Sequence, residues 1–125
     1  MPIRLERIQK DTIPTIDTLT EVTNPIKTHI TGNPYTILKT ITTAGSPEDV
    51  NVNTQLGRNA HKGYIKAYRT NTGIIKVKLS NDGSNFTSEW EELEKGDVLD
   101  ITDLDVHTIK LDCTVDGEKA FIMVI

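Results

Sequence analysis

The 125-residue chain has little of most things that mark a chemistry. It has one cysteine, Cys113, so no disulfide can close within it. It has no apolar run near the ~18 residues that a membrane-spanning helix needs. Its first residues, MPIRLERIQKDTIP, lack the apolar core of a secretion signal. No membrane partner is expected, and the expected place of synthesis and use is the cell interior or a particle assembled there. Aromatic residues make up 5 % of the chain, with a single tryptophan, so few ring platforms exist for a flat ligand. An excess of positive charge is missing too. Residues 1–62 carry net +1 and residues 63–125 net −5, which argues against a general nucleic-acid binder.

Threonine is what the chain has in quantity. About one residue in seven is Thr, a residue that favours strands. The length fits one ordinary domain and suffices for a hydrophobic core without disulfide staples.

The chain divides in two. Over residues 1–34, Pro2, Pro14, Pro25 and Pro34 recur about every ten positions, each removing a backbone donor and favouring extended geometry before it. Between them lie weakly apolar pieces, TIDTLTEVT and IKTHITGN. This predicts an extended N-terminal arm, the alternative being an N-terminal strand of the same sandwich. The arm carries strand segments that need a neighbour, and so predicts a homo-oligomer.

Residues 35–125 predict an all-β domain, an antiparallel sandwich of the jelly-roll kind. YTILKTITT sets Tyr35, Ile37, Lys39 and Ile41 on one face and Thr36, Leu38, Thr40 and Thr42 on the other. AGSPEDV predicts a loop, and NVNTQLGRNAH an irregular stretch. GYIKAYRT places Tyr64, Lys66 and Tyr68 opposite Ile65, Ala67 and Arg69. After the turn Asn71–Gly73, IIKVKLS points Ile75, Val77 and Leu79 inward and Lys76 and Lys78 outward, so the two strands are expected to form a hairpin. NFTSEWEEL, DVLDIT, HTIKLDC and KAFIMVI follow at even spacing, separated by the turn stretches EKGD, TDLD and VDGE. The closing FIMVI is expected at the centre of a sheet, buried on both faces.

Three groups of residues invite a chemical reading. In LSNDGSNF, the oxygen-bearing side chains of Asn81, Asp82, Ser84 and Asn85 suggest a calcium loop, and counting from Asn81 places Glu92 twelfth. However, the stretch lies between strands, and Asp82-Gly83 is the signature of a tight type I′ hairpin turn. The acidic run Glu89, Glu91, Glu92, Glu94, Asp97, Asp100, Asp103 and Asp105 alternates with Trp90, Leu93, Val98 and Leu99, the pattern of solvated strand faces. His29, His61 and His107 form no His-x-His pair and no zinc-binding helix motif. There is no Gly-x-Ser-x-Gly nucleophile elbow and no phosphate-binding glycine loop. Cys113, in TIKLDCTV, has the setting of a half-buried strand residue. The sequence therefore predicts a non-enzyme, with no catalytic, cofactor-binding or metal-ligating residue and no cofactor.

From Gly73 to Cys113 the order of pieces is distinctive. A strand runs into Leu-Ser-Asn-Asp-Gly-Ser-Asn-Phe, then comes Lys-Gly-Asp-Val-Leu-Asp-Ile, then a strand from Val106 to Leu111. This resembles small β-sandwich structural proteins of tailed phages and related viruses, such as capsid decoration proteins and other head or tail accessory proteins. The resemblance implies a virion protein, assembled in the host cytoplasm, that contacts a capsid or other virion structural protein. By analogy it favours a trimer. SNDGSNF also resembles a hairpin of discoidin-type domains, although this chain lacks that family's flanking cysteine pair. That likeness implies the alternative of a carbohydrate-binding module, with Trp90 or Tyr64 and Tyr68 as candidate sugar platforms.

Overall fold

The computed structural model describes residues 32–125. The arm expected over residues 1–34 lies outside them, apart from its last three positions. A compact unit spans Asn33–Ile125.

Eight strands and one short helix are found among the described residues: β1 (Tyr35–Ile41), β2 (Glu48–Asn51), α1 (Val52–Leu56), β3 (Gly63–Ala67), β4 (Ile75–Ser80), β5 (Glu91–Leu93), β6 (Val98–Asp100), β7 (Thr108–Cys113) and β8 (Glu118–Val124). They form two antiparallel four-stranded sheets, ordered β1-β8-β3-β6 and β2-β7-β4-β5. Strand one pairs with eight, two with seven, three with six and four with five. The described residues thus form one long hairpin rolled over on itself, which is the jelly-roll arrangement. Its tip is the loop Asn81–Asn85, closed by a bridge between Ser80 and Phe86.

This topology corrects the hairpin expected between GYIKAYRT and IIKVKLS. β3 and β4 belong to different sheets. Both need one face buried, and the connection through Asn71–Gly73 carries the chain across the sandwich. Buried side chains fix that crossing. Asn71 Nδ2 donates to the Lys119 carbonyl at 2.8 Å, and its Oδ1 accepts from the Lys119 N–H at 2.9 Å. Glu118, buried at the start of β8, accepts from the N–H of Gly73 at 2.7 Å and of Thr72 at 3.1 Å.

Two stretches expected to be irregular have structure. In AGSPEDV, Glu48–Val50 belong to β2. NVNTQLG contains α1, capped by the Asn51 side chain on the Thr54 N–H and ended by Gly57 in the left-handed region.

The core is aliphatic. Ile41, Ile65, Ile75, Ile101, Ile109, Leu111 and Ile122 are fully buried, and no aromatic residue joins them. Each such side chain contributes about 1.5–3 kcal/mol relative to exposure. The inward positions come from the predicted alternation: Ile37, Ile122 and Ile65 lie side by side across β1, β8 and β3, with Leu99 of β6 next to Ile65. The closing strand β8 is central, as expected, but is buried on one face only. Ala120, Ile122 and Val124 point inward, while Met123 is exposed and Phe121 half-buried.

Candidate interaction face

The outward positions of the first sheet form two cross-strand rows. One holds Thr36, Met123, Tyr64 and Asp100; the next holds Leu38, Phe121, Lys66 and Val98. Five of these eight side chains are apolar or aromatic. Leu38 is 42 % exposed, Val98 53 % and Met123 36 %. The Tyr64 and Phe121 rings lie 6.1 Å apart at a tilt of 40°, a favourable aromatic contact. A sheet face turned to water ordinarily alternates to polar residues, and this one does not.

The second sheet follows that rule. On the side away from the core it carries Asp49, Lys110 and Lys78 in one row, Asn51, Thr108 and Ser80 in a second, and Asp112, Lys76 and Glu92 in a third, although Ser80, Thr108 and Asp112 are themselves buried. The two faces of one domain therefore differ in kind: one is polar, and the other carries an apolar patch with charges only at Lys66, Asp100 and the neighbouring Lys119.

The stretch LSNDGSNF is a turn organised by Asp82, whose carboxylate takes up N–H and O–H groups of the same loop. Asp82 Oδ1 accepts from the N–H groups of Ser84 and Asn85, both at 2.8 Å, and from Ser80 Oγ at 2.9 Å. Asn85 Nδ2 donates to Oδ2 at 2.8 Å. The hydrogen bonds from Asn85 above all, then those from Ser84 and Ser80, hold the Asp82 carboxyl far below the usual carboxylate range. Gly83 has φ +84°, as expected, but Asp82 has no positive φ. The turn is thus not type I′; it is a five-residue loop built around the aspartate.

The acidic run does not converge. Its members spread over β5, β6 and the loops beside them, and among the described residues no group of three or more His, Cys, Asp or Glu is placed to hold a metal ion. Asp97 and Asp100 cap turns, accepting from the N–H of Glu94 and of Thr102. Thr102 pulls the Asp100 carboxyl below its ordinary value. His61 lies 4.0 Å from Asp105, His107 bonds Thr108, and His29 is outside the described residues. Burial, with Asp112 and Glu118 adding to it, pushes the Cys113 thiol up, away from the thiolate that a nucleophile needs. Trp90 carries the ammonium groups of Lys76 and Lys78 over its ring, and Tyr68 carries Arg69.

Reading the strands one at a time missed the apolar face. Leu38, Tyr64, Val98, Phe121 and Met123 come from four strands, and only the register brings them together. The signal available was Phe121 and Met123 alternating with core residues in β8.

Compared with family models, curated proteins and solved structures, the chain matches none.

Proposed function

We propose that this protein is a non-enzymatic structural component of a viral particle, decorating or stabilising a capsid or connecting particle parts through protein–protein contacts. The observation that carries the reading is the apolar outer face of the first sheet, which asks for a covering partner. The likeness of Gly73–Cys113 to phage accessory proteins supplies the kind of partner. Size supports a coat role. The patch spans three strand spacings of ~4.8 Å and a few residues of ~3.4 Å rise, hence on the order of a few hundred Å². A stable pairwise complex buries about 800 Å² per partner. A single such contact is weak, whereas many on a repeating shell, or in a homo-oligomer such as a trimer, add through avidity.

The test is to co-express the chain with the shell protein encoded beside its gene and to sediment the particles. The protein should travel with them. A gene neighbourhood with no particle protein, or a chain that stays at the top of the gradient, overturns the reading.

A second reading, a carbohydrate-binding module, has one observation in its favour. A cleft of about 410 Å³ opens beside the Asn81–Asn85 loop, lined by Asn81, Asn85, Phe86, Leu104 and Asp105 among others. Calorimetric titration with neutral oligosaccharides separates the two readings.

A further inference from the structure

The strands at the sheet edges differ in length. β5 and β6 have three residues each and β2 has four, whereas β1 has seven. β1 lies outermost in its sheet, and among the described residues no strand pairs with its outer side. A short edge is one way in which a sheet avoids adding a further strand; proline, a bulge or an unpaired charge are others. Between Tyr35 and Ile41 there is no proline. The strand runs in unbroken register with β8, so no bulge interrupts it. Its one charge, Lys39, is matched by Glu48 Oε1 at 2.9 Å. The core side stays open here as well. Ile65 and Ile122 are fully buried, but Ile37, next to Ile122 in the same row, is not.

The strand is also self-complementary. Turned antiparallel against its own copy about Leu38, its middle residue, it sets Leu38 beside Leu38 and Thr36 beside Thr40 on the outer face. On the inner face Ile37 then meets Lys39, and Tyr35 meets Ile41. Apolar and Thr–Thr pairs of this kind favour a sheet, and no like charges stand opposite each other. Leu38 belongs to the apolar outer face, so the pairing runs two such patches into one. Each alone is on the order of a few hundred Å²; the joined face approaches the about 800 Å² that one partner contributes to a stable complex. We propose that two copies of this chain pair β1 with β1 about a two-fold axis at Leu38, joining their first sheets into one continuous sheet with a single apolar outer face. This deepens the assembly reading above, and rests on it for what the joined face docks against. Identical edges close at two, so the pair is a dimer and not the trimer that the phage likeness favours.

The test is sedimentation equilibrium of the full-length protein, with cysteine variants to read the register. The wild type should give a concentration-dependent dimer of twice the 13.9 kDa chain. With oxidised glutathione as oxidant, Leu38→Cys should form disulfide-linked dimers about tenfold or more faster than Thr36→Cys, because thiols held opposite each other meet at an effective concentration in the mM range. Thr36→Cys mixed with Thr40→Cys should crosslink faster than either alone. Cys113 is 3 % exposed and takes no part. A trimer, or Leu38→Cys and Thr36→Cys crosslinking at equal rates, overturns the inference. So does a wild type that is monomeric at every concentration. Hydrogen exchange at Tyr35–Ile41 then shows what takes the edge instead. Protection in the free monomer gives it to another segment of the same chain, and protection gained only on particles gives it to the shell protein. The dimer is read without particles, so its failure is distinct from a failure to sediment with them, which strikes the assembly reading itself.

Discussion

Leu38 and Phe121 are direct cross-strand neighbours on the outer side of the first sheet, one on the edge strand β1 and the other on central β8. Leu38 is 42 % exposed, so its side chain contributes little to the core and much to the patch. Leu38→Lys should therefore leave the fold intact, with stability within about 0.5 kcal/mol of wild type, as is usual for surface changes. It should abolish co-sedimentation with particles. A thermal melt run beside the gradient separates the two effects. A variant that melts normally and still binds would remove Leu38 from the docking face.

Gly83 tests the tip of the rolled hairpin. Its φ is +84°, and a Cβ placed there would lie 2.8 Å from Cε1 of His107. Gly83→Val combines backbone strain with that clash, and it should destabilise by roughly 1–3 kcal/mol. The expected readout is a thermal midpoint several degrees lower. An unchanged midpoint would mean that the loop adopts another conformation in solution.

Asp82 should make the loop acid-sensitive. Its folded pKa is depressed by hydrogen bonds from Asn85, Ser84 and Ser80. The stability that it adds is fully present above the unfolded carboxylate value of about 4 and is lost as pH falls through the folded value. Asp82→Asn should accordingly melt below wild type at neutral pH, and the gap should narrow as pH drops below about 4. Glu48, held down by Lys39 and the Thr42 N–H, and Asp100, held down by Thr102, act in the same direction, so acid sensitivity persists in the variant. A gap between the two melts that stays constant down to pH ~2 would contradict the role given to this carboxylate.

Glu118 is the buried group with most depending on it. It is 4 % exposed and receives the Gly73 N–H, the Thr72 N–H and the Thr72 hydroxyl. Glu118→Ala leaves those donors without a partner at the crossing between the sheets, at about 1–3 kcal/mol for an unsatisfied buried group. Urea unfolding should show the loss, with a smaller one for Glu118→Gln, which keeps an acceptor oxygen. Equal stability of Ala and wild type would rule out the clamp.

Much of the fold could be read from the residues because alternation is a local property. Tyr35–Ile41 and Ile75–Ser80 show period two, and the structure turns toward the core the apolar faces that the period selects; Thr108–Cys113 also alternates, but it is buried on both faces except at Lys110. Pairing is not local. Neighbouring strands usually pair, so β3 and β4 read as a hairpin, whereas here only β4 and β5 are joined within one sheet. The fixings that carry β3 across to β4 are Asn71 and Glu118, two polar residues far apart in sequence. Helix α1 is too short for its period to register, although its cap Asn51 and its terminating Gly57 were both in view. The candidate face was hidden for the same reason as the pairing: it exists only once the register of four strands is known.

The most direct measurement for the central claim is side-chain footprinting of the particle-bound protein against the free protein, read by mass spectrometry at Met123, Tyr64 and Phe121. Met123 is 36 % exposed in the isolated chain and oxidises readily as a thioether. If the outer face of the first sheet docks on the particle, labelling at all three should fall sharply on binding, while exposed Leu104 on the loop before β7 keeps its labelling. Equal labelling of Met123, Tyr64 and Phe121 in the free and bound protein would contradict it.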